Sequence, residues 1–336
     1  MKIAVIGAGS WGTALASQLG HKHDHVALWV RKPDLAATME YDRQNKAYLP
    51  DVLLPSSVAC TADIAAAADG AELIILAVPS HAVRQTSKEL APSVSRNTIV
   101  VSAAKGLEAH TFRRMSEIIV DEIAHIDGKV AVLSGPNHAE EVGRQQPTAS
   151  VVASASREVA EMVQDALMLP YFRVYTNPDI IGVELGGALK NIIALGAGIA
   201  EGLGYGDNSK AALMTRGLAE ITRMGVAMGA QAGTFAGLTG IGDLMVTCTS
   251  RHSRNRRAGM LLAQGRSARQ IQDETNMVVE GFRATAAAYE LAGRHGVRMP
   301  ITEQTWQVIY QSKPPRQAVL ELMTRSRTHE SEELPI

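Results

Sequence analysis

The sequence has few cysteines, almost no net charge and no long uninterrupted hydrophobic run, and each shortage excludes a class of protein. Its 336 residues include only two cysteines, Cys60 and Cys248, too far apart for a metal-binding spacing. The net charge of −1 at pH 7 lacks the basic excess of a typical nucleic-acid binder. No apolar run approaches the roughly 18 residues of a membrane span, and no signal peptide opens the sequence. We therefore expect a cytoplasmic protein without disulfides that neither binds nucleic acid nor inserts into a membrane.

The first half does contain a series of short apolar runs that alternate with helical stretches. The runs are KIAVIG, HVALWV, ELIILAV, TIVVSAA, KVAVLSG and TASVVAS. Continuous apolar strands are typical of a parallel sheet buried on both faces, and the alternation predicts a doubly wound, Rossmann-type α/β domain. After Asn177-Pro178, long Ala/Leu/Ile/Met segments predict an all-helical domain. We divide the chain into residues 1–178, residues 179–325 and a polar tail, residues 326–336.

A glycine pattern, VIGAGSWG, directly follows the first predicted strand and precedes a helical run. Gly7, Gly9 and Gly12 have G-x-G-x-x-G spacing in the strand–turn–helix context that makes this pattern specific. Gly7 permits a tight turn, Gly9 lets the backbone approach a pyrophosphate, and Gly12 lets the helix and strand pack closely. The helix N-terminus would then offer its N–H groups to the phosphates. The pattern predicts a dinucleotide-binding site.

The end of the second strand indicates which dinucleotide is used. An NAD site normally has an acidic residue there, which binds the ribose 2′-hydroxyl. This sequence instead has Arg31 and Lys32 in LWVRK, and two cations suit a 2′-phosphate. We therefore favour NADPH and keep NADH as the alternative cofactor; a solvated loop pair is the competing interpretation.

Three later strands end in loops that carry polar residues. The loops are AVPSHAV, AAKGLE and SGPNHAEE. Ligands of doubly wound sheets bind at the carboxyl ends of the strands. We therefore expect Lys105 and Asn137 to lie beside the nicotinamide.

The stretch GALKNIIALG, residues 187–196, predicts a buried helix with one lysine in it. Lys190 is the only charged residue between Glu184 and Glu201, and a lysine is almost never fully buried unless it is paired or used. Gly186 lies one turn before Lys190 and Gly187 one turn before Asn191, so we expect an open hollow in which a ligand reaches both polar side chains. Glu184 lies about 240° round the helix from Lys190 and is a poor partner.

A partner for Lys190 must therefore come from elsewhere in the chain, and Asp243 is the candidate. It lies in the glycine-rich segment GLTGIGDLMVTCTS, with Thr247 one turn later on the same helix face. A carboxylate beside a buried lysine opposes the lowering of its pKa by burial, which suits proton transfer near neutral pH. The plainer interpretation of Asp243 is a helix cap.

The segment SRHSRNRR follows with four arginines at positions 251, 254, 256 and 257. It has no aromatic residues for base stacking, which disfavours a nucleic-acid site. A small phosphorylated substrate would need one arginine as a fork for phosphate oxygens, helped by Asn255. We expect the other arginines to be solvated.

Taken together, eight motifs resemble the bacterial NAD(P)-dependent glycerol-3-phosphate dehydrogenases. They are GAGSWGTALA, YLP…LP, AVPSHAVR, AAKGLE, SGPNHAEE, VELGGALKNIIALGAGI, LTGIGDLMVTCTS…SRN and VVEG. The resemblance runs from residue 2 to beyond residue 310 and shows no departure at the motif positions. It implies reduction of dihydroxyacetone phosphate to sn-glycerol 3-phosphate for phospholipid synthesis, in a protein that commonly forms dimers and uses no metal.

The resemblance also implies roles for individual residues. Lys190 would be the proton donor in reduction, and Lys105 would contact both cofactor and substrate. In the mechanism that we expect, Lys190 and Lys105 polarise the carbonyl oxygen on C2 of the substrate, and Asp243 orients Lys190 with Asn191 and Thr247 as supporting hydrogen-bonders. The implied substrate residues are Lys105, Gly135, Asn137, Lys190, Asp243, Ser253, Arg254 and Asn255. The implied nucleotide contacts are Gly7, Gly9, Ser10, Trp11, Gly12, Arg31, Lys32, Lys105, Ala139, Arg254, Val278 and Glu280, with Tyr48 as a weaker candidate.

Three alternatives stay open from the sequence. A dehydrogenase of similar architecture could act on another substrate, such as 6-phosphogluconate. A nucleotide sensor without turnover would not need a proton donor such as Lys190. The segment HKHDH, residues 21–25, could bind a metal, although a solvated surface loop is the favoured interpretation.

Overall fold

The apolar runs of the first half form neighbouring strands of one eight-stranded sheet in the computed structural model, which describes residues 1–126, 128–274 and 278–327. Of the predicted polar tail, residues 328–336 lie outside the described residues. The strands are β1 Lys2–Ile6, β2 His25–Trp29, β3 Gln44–Asn45, β4 Leu49–Leu53, β5 Val58–Thr61, β6 Leu73–Leu76, β7 Ile99–Ser102, β8 Val130–Ser134, β9 Thr148–Ala153 and β10 Phe172–Asn177.

The sheet has the order β10-β9-β8-β7-β6-β1-β2-β5, with β3 and β4 as a separate antiparallel hairpin. The strands from β8 to β5 in this order pair in parallel, which confirms the doubly wound, Rossmann-type class. TASVVAS does form β9, but β9 runs antiparallel to β8, so its expected parallel direction is wrong. Only a five-residue helix, Ala139–Gly143, separates the two strands, and the chain returns alongside β8.

Strand β1 shows why the central strands carry apolar side chains on both faces of the sheet. Ile3 and Val5 belong to one hydrophobic cluster, whereas Ala4 and Ile6 belong to another. Successive side chains of a strand point to opposite faces, so both faces of the sheet are covered.

Helices cover the sheet and then make up the second half of the described chain, as predicted. They are α1 Ser10–Gly20, α2 Pro33–Asp42, α3 Ile64–Ala68, α4 Val83–Leu90, α5 Met115–Glu122, α6 Ala139–Gly143, α7 Arg157–Leu167, α8 Ile180–Gly202, α9 Asp207–Ala227, α10 Asp243–Thr249, α11 Arg254–Ala263, α12 Ala268–Glu274, α13 Glu280–His295, α14 Pro300–Tyr310 and α15 Pro315–Met323.

Two compact units make up the chain. The sheet unit comprises Met1–Lys105 and Arg113–Ile180, and the helical unit comprises Gly106–Phe112 and the chain from Ile181 on. Within the helical unit, Leu107 and Phe112 are buried in the hydrophobic core. The guanidinium of Arg294 lies 4.4 Å from the centre of the Phe112 ring. The short segment 106–112 is therefore part of the helical core, although the proposed division at residue 178 does not include it there.

Helix α8 is the central helix of the helical unit. It is long and apolar enough to cross a membrane by length and composition, but 83% of its most apolar window is buried inside the fold. Leu189 and Ile192 pack in one hydrophobic cluster, and Leu195 and Ile199 pack in a second. A helix that is apolar all round is a core helix when other helices cover it, which explains the composition of α8.

A buried carboxylate fixes the start of α14. Glu220, on α9, is 1% exposed and accepts hydrogen bonds from the backbone N–H groups of Ile301, at 2.6 Å, and Thr302, at 3.1 Å. Burial raises the pKa of Glu220 to about 7, although these hydrogen bonds and the charge of Arg223 act in the opposite direction. The carboxyl group therefore binds protons more tightly in the folded protein than in the unfolded chain.

We expect the protein to lose stability as Glu220 ionises. The folded pKa of about 7 lies above the ordinary value of 4.5, so the stabilising contribution is complete below pH 4.5 and disappears as the pH rises through 7. Its size is of the order of 3 kcal/mol. Urea midpoints measured at several pH values across this window should fall more steeply for the wild type than for Glu220→Gln. Glu303→Gln, at an exposed position on α14, is the control and should follow the wild type. Parallel curves for the wild type and Glu220→Gln would contradict the expectation.

Candidate active site

The glycine-rich turn between β1 and α1 has the steric features of a dinucleotide-binding loop. Gly7 has a φ of +114°, and a Cβ there would lie 2.9 Å from Cγ1 of Val78. A Cβ on Gly12 would lie 1.8 Å from the carbonyl oxygen of Gly7. A side chain is excluded at both positions, by backbone conformation at the first and by close approach at the second.

The residues at the start of α1 fit a bound pyrophosphate. A Cβ on Gly9 would meet nothing within 4 Å, so the backbone there is open on one side. Gly9 is also the N-cap residue and offers no side chain to the N–H groups of the first turn. Nε1 of Trp11 is buried without a hydrogen-bond partner among the described residues. An uncapped helix N-terminus with an open approach is the arrangement that binds phosphate groups.

Other residues expected near the nucleotide lie at the same edge of the sheet unit. Arg31 and Lys32 follow β2, and both are exposed. No hydrogen bond or ion pair within the described chain occupies either cation. The Ser10 hydroxyl donates to the carbonyl oxygen of Tyr48 at 2.7 Å, and Ala139 opens α6 in a buried position.

Lys105, Gly135 and Asn137 come together where β7 and β8 end. Nζ of Lys105 donates to the carbonyl oxygen of Gly135 at 3.0 Å and to Oδ1 of Asn137 at 2.9 Å. Asn137 Nδ2 donates in turn to Oγ of Ser150 at 3.0 Å. The ammonium group of Lys105 is therefore held by two oxygen atoms, one of them on a fixed amide.

Ser150 is the member of this group that sequence reasoning missed. It is completely buried in β9, within the otherwise apolar run TASVVAS. A polar side chain in a buried strand needs a hydrogen-bond partner, so the signal was present in the sequence. The identity of the partner depends on the loop after β8, which the sequence pattern does not place.

The structure pairs Lys190 with Asp243, the partner selected from the sequence. Lys190 Nζ forms an ion pair with Asp243 Oδ1 and donates to Oγ1 of Thr247 at 2.7 Å. Thr247 Oγ1 also donates to the backbone carbonyl oxygen of Asp243 at 2.6 Å. The lysine is 6% exposed and the aspartate 1%. Each charge compensates the buried charge of the other, which removes most of the cost of keeping a lysine in the core.

The hollow expected beside Gly186 is not there, so that expectation is wrong. A Cβ on Gly186 would lie 2.8 Å from the carbonyl oxygen of Thr239. Thr239 belongs to a π-helical turn, Leu238–Gly242, that leads directly into α10. The missing side chain thus makes room for the protein's own backbone, and this close approach brings Asp243 to α8. π-Helical turns are frequent at functional sites.

Asn191 has a different partner from the one expected. Its Oδ1 accepts a hydrogen bond from Nδ2 of Asn255 at 2.8 Å, and its Nδ2 donates to the carbonyl oxygen of Gly187 at 3.4 Å. Asn255 Oδ1 accepts in turn from the backbone N–H of Gly281 at 2.9 Å. The side chain of Asn191 thus connects α8 to the start of α11 rather than supporting the ion pair, because position 191 lies on a neighbouring face of the helix.

Ser253 and Arg254 form the start of α11. Ser253 Oγ accepts from the backbone N–H of Arg256 at 3.2 Å, as an N-cap does. The exposed Arg254 donates from Nη1 to the carbonyl oxygen of Val278 at 3.3 Å, two residues before Glu280 opens α13. These expected contacts with the substrate and nucleotide therefore cluster in the helical unit.

Two arginines of the same segment are exposed as expected, but Arg256 is not. Arg251 and Arg257 lie on the surface. Arg256 makes a bidentate pair with Glu201, with Nε 2.7 Å from Oε2, so the expectation that it is solvated is wrong. No sequence pattern indicates this pair, because Glu201 lies at the far end of α8.

The segment HKHDH caps a helix. Lys22 Nζ donates to the carbonyl oxygen of Met168 at 2.9 Å, and Nε2 of His23 lies 2.9 Å from the carbonyl oxygen of Ala166. These carbonyl groups end α7, where cationic side chains are favourable. Within residues 1–126, 128–274 and 278–327, no group of three or more His, Cys, Asp or Glu side chains could hold a metal.

The cysteine thiols are not arranged for reaction. Burial raises the pKa of Cys248, on α10 beside Thr247, to about 12. Burial likewise raises the pKa of Cys60 to about 12. Thiols react as thiolates, so both cysteines act as small apolar side chains near neutral pH.

Comparison with known proteins points to one family over nearly the whole chain. The model of the NAD-dependent glycerol-3-phosphate dehydrogenase N-terminus matches residues 2–160, and the model of the C-terminus of that enzyme matches residues 179–320. The chain is 60% identical to an NAD(P)-dependent glycerol-3-phosphate dehydrogenase of Moorella thermoacetica over 330 residues, which is 98% of each chain. It is 56% identical to the corresponding protein of Desulfitobacterium hafniense, over 100% of this chain and 94% of that protein.

A solved structure is similar over the same length. The glycerol-3-phosphate dehydrogenase of Coxiella burnetii is 38% identical and has a TM-score of 0.91, with 96% of this chain and 99% of that chain covered. Both the sheet unit and the helical unit therefore have counterparts in one solved protein.

Proposed function

Because the chain belongs to the NAD-dependent glycerol-3-phosphate dehydrogenase family, we propose that it catalyses the reversible reduction of dihydroxyacetone phosphate to sn-glycerol 3-phosphate with NAD(P)H. The observation that carries the proposal is the buried ion pair of Lys190 and Asp243 with Thr247 beside it. A sensor that only bound the nucleotide would have no use for a buried ammonium group held in this way.

The proposed reaction needs a hydride and a proton. The bound nicotinamide supplies the hydride to C2 of the substrate. Lys190 donates a proton from Nζ to the oxygen on C2 as the carbon–oxygen double bond becomes a single bond, and the neutral amine regains a proton from solvent. Asp243 and Thr247 hold the amine through the contacts described above. A donor aimed at a developing oxyanion is typically worth about 3–4 kcal/mol.

Lys105 is proposed to contact both the cofactor and the substrate. Its ammonium group is restrained by the carbonyl oxygen of Gly135 and by Asn137, so little side-chain entropy remains to be lost on binding. Gly135 and Asn137 are proposed substrate residues because they lie next to this ammonium group.

The substrate phosphate is assigned to the start of α11. Arg254 offers a guanidinium fork and Asn255 a buried amide, both on the first turn of a ten-residue helix. The Asn255 side chain is fixed by Asn191 and Gly281, which leaves one N–H of its Nδ2 for a phosphate oxygen. Fixing the phosphate orients the carbonyl carbon, and such positioning supplies several kcal/mol in well-oriented reactions.

NADPH is the proposed preferred cofactor, on the strength of Arg31 and Lys32. If both are replaced by alanine, the KM for NADPH should rise about 10- to 100-fold, because charge-assisted hydrogen bonds to the 2′-phosphate are lost. The KM for NADH and both kcat values should change little. A matched control is Lys88→Ala with Arg96→Ala, which removes two exposed cations from the same unit. An equal rise in the two KM values would contradict the assignment.

We further propose a cytoplasmic homodimer that supplies sn-glycerol 3-phosphate to phospholipid synthesis. Two free thiols suit a reducing compartment, and the family resemblance supports the dimer and the pathway. Sedimentation equilibrium at several concentrations tests the dimer.

The experiment that tests the function is an initial-rate assay with dihydroxyacetone phosphate, followed at the nicotinamide absorbance, with NADPH and NADH in parallel. Turnover with either cofactor supports the proposal. A competing 6-phosphogluconate should neither turn over nor inhibit at comparable concentration. Binding of NADPH without turnover would instead indicate a nucleotide sensor.

A further inference from the structure

The hairpin of β3 and β4 contains the YLP motif that no step of the proposed reaction uses, and it contacts the glycine-rich turn. We propose that Asn45, in this hairpin, is a positioning residue that orients the Ala8–Gly9 peptide group for the dinucleotide pyrophosphate. The inference rests on the proposed function, because it assumes that the turn binds a dinucleotide.

The side chain of Asn45 makes three hydrogen bonds and has no exposed surface. Nδ2 donates to the carbonyl oxygen of Ala8 at 2.9 Å and to Oγ1 of Thr13 at 2.8 Å. Oδ1 accepts from the backbone N–H of Tyr48 at 3.3 Å. Both N–H groups of the amide are therefore directed at the glycine-rich turn and the first turns of α1.

The bond to Ala8 has a consequence on the other side of the peptide group. A trans peptide is planar, so its C=O and N–H point in opposite directions. When Asn45 holds the carbonyl of Ala8, the N–H of Gly9 must point away from Asn45. Gly9 is also the residue at which a Cβ would meet nothing within 4 Å. The N–H of Gly9 is thus available to a phosphate oxygen in a fixed orientation.

Several contacts fix the position of the hairpin, so Asn45 can hold the carbonyl group of Ala8 in one orientation. Leu49 and Val52 are 2% and 4% exposed and belong to the hydrophobic cluster on one face of the sheet. Ser17, on α1, donates to the carbonyl oxygen of Leu53 at 3.2 Å. Ser10 donates to the carbonyl oxygen of Tyr48. Apolar packing and polar contacts therefore fix β4, the strand that pairs with Asn45, against the rest of the sheet unit.

Asn45→Asp tests the proposal because it keeps the size of the side chain and removes the donor only when the carboxyl group is ionised. At about pH 8, the ionised group cannot donate to Ala8, and the Kd for NADP⁺, measured by isothermal titration calorimetry, should rise about tenfold relative to the wild type. At about pH 5.5 the ratio should decrease, because a protonated carboxyl group again donates and burial favours that form. At saturating NADPH, kcat should stay near the wild-type value.

Thr98→Val is the matched control. Thr98 is 1% exposed and donates to the carbonyl oxygen of Ala71 at 2.9 Å, so the variant also loses a buried hydrogen bond in the sheet unit. It should be destabilised similarly and bind NADP⁺ as the wild type does. If Asn45→Asp binds NADP⁺ as tightly as the wild type at about pH 8, or Thr98→Val weakens binding equally, the inference is overturned. A wild-type protein that binds no dinucleotide would overturn the proposed function, and the inference with it.

Discussion

Replacing Lys190 with methionine is expected to lower kcat by about 10²- to 10⁴-fold, the usual contribution of a positioned general acid. Methionine keeps the apolar stem of the side chain in the core and removes only the ammonium group. The Kd for NADPH should change little, since the lysine transfers a proton in the proposed reaction and does not hold the cofactor. Initial rates and direct NADPH titration of the same preparation measure the two effects.

Two further variants make this first expectation specific. Lys190→Ala leaves a cavity, so an added primary alkylamine should restore part of its activity but none of the activity of Lys190→Met. Lys313→Met is the control, because Lys313 also pairs with a carboxylate, Glu321, but belongs to no proposed site. A parallel loss of NADPH affinity and kcat in Lys190→Met would mean that the lysine is structural.

The second large effect concerns the stability of the Lys190–Asp243 pair. Asp243→Leu leaves a buried ammonium group without its carboxylate and is expected to lower the free energy of unfolding by about 3–5 kcal/mol. The double variant Lys190→Met with Asp243→Leu should recover most of that loss, because neither charge is then left unpaired. Both proteins should be inactive, so stability and activity would separate.

Urea unfolding of the wild type, both single variants and the double variant measures this coupling as a cycle. The more exposed pair of Lys313 and Glu321 provides the comparison, and Lys313→Met should lower the free energy of unfolding much less than Asp243→Leu does. A double variant as unstable as Asp243→Leu would show that packing, rather than unpaired charge, sets the stability of this region.

The features that could be predicted from the sequence depend on short-range geometry. Gly7 and Gly12 are fixed by the steric demands of a turn and a helix–strand contact within six residues of one another. The apolar pattern of β1 follows from burial on both faces of the sheet. The need for a carboxylate near Lys190 follows from the cost of burying a single charge.

The features that the sequence did not reveal depend on contacts between distant segments. Gly186 could be recognised as a missing side chain, but only the structure shows that the backbone of Thr239 fills the space. Arg256 looks like a solvated residue until Glu201 is placed opposite it. The direction of β9 depends on how the loop after β8 turns back, and no periodicity records that.

The segment 106–112 has a consequence for how the gene can be divided. A fragment that begins at Ile181 encodes the helical unit without Leu107 and Phe112, so the core has a gap and Arg294 loses the aromatic ring beneath it. Recombination that exchanged the helical unit as one contiguous piece would carry the same defect. Substitutions at Leu107 and Phe112 should therefore co-vary across homologues with the helices encoded downstream, and not with the strands that flank them in the sequence.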